Sequence, residues 1–136
     1  MTGYTLGRTV ATTYDATVDA VRAALDEQGF GVLTEIDLAA TLHAKLGVSV
    51  GPQVILGACR PQLAHLALQA DPSIATLLPC NVVVRAIDAT STRVEVFDPA
   101  AMTRLAGAST TSGSQALAVV VADARERLGA MLASLD

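Results

Sequence analysis

The chain has 136 residues, of which 51% are hydrophobic and 16% charged, and its formal net charge is −4. This length and apolar content predict one folded domain over residues 1–136 and exclude both a multidomain protein and a disordered chain. Thirteen acidic against nine basic residues exclude nucleic acid as a partner, because binding to a phosphate backbone depends on positive charge.

The N-terminal region predicts a strand followed by a helix. Apolar residues alternate with polar ones over residues 4–10, as in a half-buried strand. From Asp15 onward the apolar residues recur at helical spacing. Thr13 or Asp15 is expected to cap the start of this helix, and Gly29 is expected to end it.

A second strand and a short helix follow. Residues 30–36 have the composition of a strand, and Asp37 is placed to cap a helix that ends at Gly47. The apolar run 54–59 is too short for a typical helix and favours a buried strand. Helical patterning then begins at Pro61, a residue suited to the first turn, and extends to about residue 70.

The second half of the chain predicts a hairpin and a long terminal helix. Residues 81–87 and 93–97 have strand patterns separated by a turn at 88–91, and the serine- and threonine-rich stretch 107–113 is interpreted as a loop. The final helix keeps one apolar stripe from Leu117 to Leu132. These elements predict a two-layer α+β fold with a mostly antiparallel sheet of about five strands.

Compartment and assembly follow from the same patterns. The first ten residues show no secretory leader, which predicts a cytoplasmic protein. The longest apolar run, 116–122, is far shorter than the ~20 residues of a membrane helix, so no membrane is expected as a partner.

Only 3% of the residues are aromatic. A chain this apolar is expected to hide part of its surface by forming a homodimer. The sheet face that the helices leave uncovered is the expected place for the dimer contact or for a ligand cavity.

Familiar catalytic motifs are absent from the sequence. It contains no phosphate-binding Walker motif, no dinucleotide fingerprint, no Gly-x-Ser-x-Gly elbow, no His-Glu-x-x-His helix and no Cys-x-x-Cys pair. Whether the protein is an enzyme is therefore left open, and the sequence requires no cofactor.

The chemistry that remains lies in two short segments that contain cysteine. Cys59 ends a predicted strand just before the helix that begins at Pro61, where helix amides and the adjacent Arg60 favour a thiolate. Cys80 opens the next strand, and the two strand ends are expected to converge. Both cysteines are candidate catalytic thiols, but a small buried side chain is the commonest role of free cysteine.

Three functional hypotheses follow from this convergence. The first is a module that binds a small ligand, metal or cofactor near Cys59 and Cys80. The second is a thiol-dependent redox or sulfur-handling enzyme that uses Cys59, and the third is a purely structural dimer. The candidate metal ligands, for zinc or another thiophilic metal, are Cys59, His65 and Cys80, and the candidate ligand-binding residues are Gly57, Arg60, Pro61 and Asn81. Glu35 and Asp37 form a candidate carboxylate pair, although Asp37 is more simply a helix cap.

Several segments resemble, in order, the blocks of the domain-of-unknown-function 302 family. They are residues 31–37, 45–47, 55–61 and 77–82, together with the Asp-Pro-x-x-Met segment 98–102. The chain departs from the family at Arg60, where asparagine is common. The resemblance implies a fold similar to that of the TATA-binding protein, in a small bacterial or archaeal protein that pairs with itself. It implies no activity.

Overall fold

The computed structural model describes residues 3–106 and 111–135. The strands are β1 (Thr5–Val10), β2 (Gly31–Asp37), β3 (Gln53–Cys59), β4 (Cys80–Ala86) and β5 (Thr92–Phe97). The α-helices are α1 (Tyr14–Glu27), α2 (Leu38–Leu46), α3 (Pro61–Ala70), α4 (Ala100–Ala106) and α5 (Thr111–Ala133), and a 3-10 helix spans Pro72–Leu77.

The five strands form one sheet in the order β1-β5-β4-β3-β2, and every neighbouring pair is antiparallel. The β4–β5 hairpin lies in the middle of the sheet, while β1 and β2 form its two edges. The predicted α+β class with a five-stranded antiparallel sheet and a long C-terminal helix is therefore confirmed.

One face of the sheet holds the main hydrophobic core. Leu56, Val82 and Val96 lie side by side on three adjacent strands, and all are almost fully buried. They pack in one cluster with Leu25 of α1 and Leu128 of α5. Burial of each such side chain contributes about 1.5–3 kcal/mol, so this layer fixes which face of each strand points inward.

The opposite face of the sheet is more open. Ile36, Ile55, Val83 and Glu95 lie in one cross-strand row on this face, and each is exposed or only partly buried. The alternation of buried and open positions along β4 and β5 is the pattern of a sheet covered by helices on one side.

The predicted helix ends are confirmed for α1 and α2. The amide of Ala16 donates to Oγ1 of Thr13, and the amide of Ala40 donates to Oδ1 of Asp37. Gly29 (φ 82°) and Gly47 (φ 70°) follow the two helices in the left-handed conformation. Glycine adopts this conformation without the strain that a side chain would add.

The boundary predicted for the long terminal helix was wrong. The loop expected over 107–113 is helical from Thr111 onward, and residues 107–110 lie outside the described part of the chain. Serine and threonine are favourable at helix starts as well as in loops, so composition could not place this boundary. Within the described residues, no helix is long and apolar enough to span a membrane.

Gly57 lies where β3 passes closest to its neighbours. A Cβ at this position would overlap Oγ1 of Thr34 on β2 and lie 2.9 Å from Cγ of Pro79, which precedes β4. The Leu78–Pro79 peptide bond is cis. The packing of Thr34 and Pro79 on both sides of β3 thus requires a residue without a side chain at position 57.

We predict that Gly57→Ala lowers the free energy of unfolding by about 1–3 kcal/mol, because the added methyl group overpacks this contact. Gly51→Ala is the matched control, since a Cβ there meets no atom within 4 Å. Urea denaturation of both variants measures the difference. Equal midpoints for the two variants would contradict the close approach at Gly57.

Candidate functional site

The pairing of β3 with β4 brings the two cysteines to one end of the sheet. Ala58 is the direct partner of Cys80, so the last residue of β3, Cys59, lies next to the first residue of β4. Both cysteines are free thiols, and both line the same cavity, called here the thiol cavity. The predicted convergence of the segments 57–61 and 78–82 is thus observed at Cys59, Arg60, Leu78 and Cys80.

The thiol cavity lies among β3, β4, α3, α4 and α5. Most of its wall is apolar, and its volume is about 40 Å³. A water molecule needs about 10–15 Å³ of such space, whereas sites for drug-sized molecules occupy about 300–1,000 Å³. The cavity therefore has room for an ion or a few atoms. Its lining comprises Phe30, Ala58, Cys59, Arg60, Leu63, Ala64, Ala67, Leu78, Cys80, Pro99, Met102, Val120, Val121 and Ala124.

Arg60 is the one charged residue in this lining. It is the N-cap residue of α3, but its side chain makes no capping hydrogen bond. The guanidinium instead lies over Gly29, where a Cβ would be 3.0 Å from Nε. This Nε is buried and has no hydrogen-bond partner in the described part of the chain. A buried unsatisfied donor costs about 1–3 kcal/mol, and this Nε–H is an unsatisfied donor on a residue that lines the cavity.

Burial keeps both cysteines protonated at neutral pH. Burial raises the pKa of the Cys59 thiol above its ordinary value. The pKa of Cys80 rises to about 11, because the thiol is buried and because a negative charge on Cys59 would repel a second one. The expectation that the start of α3 and Arg60 favour a Cys59 thiolate is therefore wrong, since desolvation is the dominant effect here.

The other predicted site residues lie outside the thiol cavity. His65 is exposed on α3, and Pro61 is exposed at its first position. Gly57 is buried within β3, and Asn81 lines a neighbouring groove with Pro79 and Phe97. No three His, Cys, Asp or Glu side chains cluster as metal ligands among residues 3–106 and 111–135. The proposed Cys59–His65–Cys80 ligand set is therefore not assembled.

The candidate carboxylate pair is divided between two other roles. Glu35 forms an ion pair with Arg22 of α1, and Asp37 caps α2 through the amide of Ala40. Each carboxylate is exposed and already has a cationic or amide partner. The arrangement fits local stabilisation of helices rather than acid–base catalysis.

Met102 is a cavity residue that the sequence interpretation did not select. It is buried in α4, three residues after Pro99, and both line the thiol cavity. Oδ1 of Asp98 accepts hydrogen bonds from the amide of Ala100 and from Nε of Arg125 on α5, at 2.9 and 3.0 Å. These contacts fix the start of α4. The Asp-Pro-x-x-Met pattern at 98–102 was the available signal, because residues three apart share a helix face.

The raised thiol pKa values predict an unusual alkylation profile. The iodoacetamide reaction rate of Cys80 should keep rising up to about pH 11, and that of Cys59 should rise beyond the range of an ordinary thiol. Mass spectrometry of each labelled cysteine against pH measures both rates. In guanidinium chloride, which serves as the control, both profiles should shift to the free-cysteine pKa of about 8.5. A rate for Cys59 in the folded protein that is already maximal below pH 8 would contradict the described burial.

Nearly the whole chain is similar to proteins of one family. The structure is similar to the crystal structure of an uncharacterized conserved DUF302 protein from Bacillus stearothermophilus, with a TM-score of 0.84 and 28% identity over 98% of each chain. No curated protein matches the sequence significantly. The family model for the domain of unknown function DUF302 matches residues 6–135. This match covers all of β2 to β5 and all but the first residue of β1, and the chain belongs to the DUF302 family.

Proposed function

We propose that the protein binds a small thiophilic ligand, a soft metal ion, through Cys59 and Cys80. The observation that carries this proposal is that two free thiols from different strands line one small cavity. Its volume of about 40 Å³ suits an ion better than an organic cofactor. Cation binding overcomes the raised thiol pKa values, because a metal ion deprotonates the thiols that coordinate it. Both thiols must be reduced, which a cytoplasmic location provides.

Thiol-dependent catalysis has weaker support from the same geometry. A nucleophilic cysteine reacts as the thiolate, but burial raises the pKa of both Cys59 and Cys80. The same burial makes protons compete more strongly with a metal ion, but the bound cation supplies the positive charge that stabilises the thiolates. Ligand binding is therefore the better-supported function.

Native mass spectrometry of the reduced protein tests the proposal with three separate probes: Ag(I), Cd(II) and Zn(II). We expect at least one ion to be retained at one per chain, and we expect Cys59→Ser and Cys80→Ser each to lose it. His65→Ala is the matched control, because His65 is exposed and does not line the cavity. Retention of no ion, or retention unchanged by both serine substitutions, would refute the proposed function.

We also propose that the protein forms a homodimer. Exposed apolar side chains concentrate on β2, α2 and the segment before β3, and they give the dimer a candidate surface: Leu33 (66% exposed), Ile36 (45%), Leu46 (69%), Val48 (43%) and Val50 (45%). A concentration of exposed apolar side chains is typical of protein–protein contacts. β2 is also an edge strand, and its outer side has no partner strand among residues 3–106 and 111–135.

Light scattering during size-exclusion chromatography measures this assembly. We expect twice the mass of one chain for the unmodified protein and the mass of one chain for Leu33→Lys combined with Ile36→Lys, because lysine desolvation opposes burial of the surface. Val119→Lys, at an exposed position of α5, should leave the dimer intact. A monomeric unmodified protein would refute the assembly without affecting the metal proposal.

A further inference from the structure

The thiol cavity is lined by three sulfur-bearing side chains and by none of the histidine or carboxylate ligands that complete many zinc sites. Cys59, Cys80 and Met102 all line it, while its lining contains no histidine, aspartate or glutamate. Structural zinc sites are tetrahedral and normally take four nitrogen or sulfur ligands. Thiolate and thioether donors instead select soft ions such as Cu(I). The donor set thus favours a monovalent soft cation over a divalent one.

Met102 is held in place at this cavity. Its side chain is only 4% exposed. It lies in the first turn of α4, just after the amide of Ala100, which donates a hydrogen bond to Asp98. Asp98 also forms an ion pair with Arg125 of α5, with 3.0 Å between Oδ1 and Nε, and this pair holds the start of α4 against α5. A thioether fixed by packing is a better ligand than a mobile one, because less side-chain freedom is lost on binding.

The charge at Arg60 also distinguishes the two classes of ion. Two thiolates with a monovalent cation carry a net charge of −1, and the guanidinium of Arg60 would bring the total to zero. With a divalent cation the thiolates are already neutralised, and Arg60 would leave an excess positive charge in a mostly apolar cavity, which is unfavourable. The buried Nε of Arg60 has no acceptor within the described residues, so no anionic side chain of the described chain is hydrogen-bonded to this Nε.

We infer that the thiol cavity is a Cu(I) site, in which Cys59 and Cys80 bind as thiolates, Met102 adds a thioether and Arg60 balances the charge. This inference rests on the proposed function and names its ion class. Binding forms two copper–thiolate bonds and releases one proton from each thiol to solvent. The copper is supplied as Cu(I) and remains Cu(I), so no oxidant or reductant takes part.

Competition with bicinchoninate under anaerobic conditions tests the ion class, with Cu(I) and Zn(II) as separate probes. We expect the unmodified protein to remove one equivalent of Cu(I) from the chelator and to retain no Zn(II) on native mass spectrometry. Met102→Leu keeps the side-chain volume and should lower the Cu(I) affinity about tenfold or more. Met131→Leu is the matched control, because Met131 is also buried but does not line the cavity.

The role of Arg60 has its own pair of variants. Arg60→Gln should weaken Cu(I) binding about tenfold, in the range typical for loss of a residue beside the ligands, while Arg60→Lys should keep most of the affinity because it keeps the charge. Thermal unfolding of every variant in the absence of metal separates these effects from a loss of folding.

The outcomes separate the two proposals. Zn(II) binding as tight as Cu(I) binding, or Cu(I) affinity unchanged by Met102→Leu in a folded protein, would overturn the Cu(I) inference and leave cysteine-dependent metal binding in place. Equal Cu(I) affinities for Arg60→Gln and Arg60→Lys would also overturn it, since charge balance would then have no role. Failure to bind any of the ions in both experiments would overturn the proposed function together with the inference.

Discussion

The antiparallel register between β3 and β4 is the constraint on which the candidate site depends. The same pairing that places Leu56 opposite Val82 in the core places Ala58 opposite Cys80 at the end of the sheet. A shift of one residue would turn the buried side chains of a strand outward. The hydrophobic core therefore fixes the strand register, and this register keeps the two cysteines at the same end of the sheet.

The thiol cavity combines two effects that oppose each other in the unliganded protein. An apolar wall stabilises the fold, but it also desolvates Cys59, Cys80 and the Nε of Arg60. The raised pKa values keep the thiols neutral, whereas Arg60 brings a cationic side chain to the same cavity. The proposed metal site would relieve this opposition, because the bound cation would convert the thiols to anions beside an Nε donor that has no acceptor among the described residues.

Membership in the DUF302 family establishes the fold and leaves the chemistry to the side chains. The similar structure from Bacillus stearothermophilus shares the architecture along 98% of both chains, but a shared fold does not transfer an activity. In the proposed site, metal binding depends on four side chains of this chain: Cys59, Cys80, Met102 and Arg60. Among these residues, Arg60 does most to favour a monovalent ion, because a positive side chain balances an anionic complex. Asparagine, which the resemblance gives as common at this position, carries no charge and could not do so.

The sequence by itself determined the local elements, because their signals act within a few residues. The alternation along β4 and β5, the caps at Thr13 and Asp37, and the glycines at 29 and 47 all encode structure through contacts with near neighbours. The same local signals did not locate the start of α5, because serine and threonine are favourable both in loops and at helix starts.

Only the tertiary structure decided the composition of the site. It brought Cys59 and Cys80 to one cavity, added Met102 from α4 and left His65 on the surface. It also reversed the expected direction of the Cys59 pKa shift, because desolvation depends on how neighbouring helices cover the thiol, and residues distant along the chain provide that cover. Long-range packing determines which side chains share a cavity. A local sequence pattern does not contain this information, because the residues that line the cavity come from distant parts of the chain.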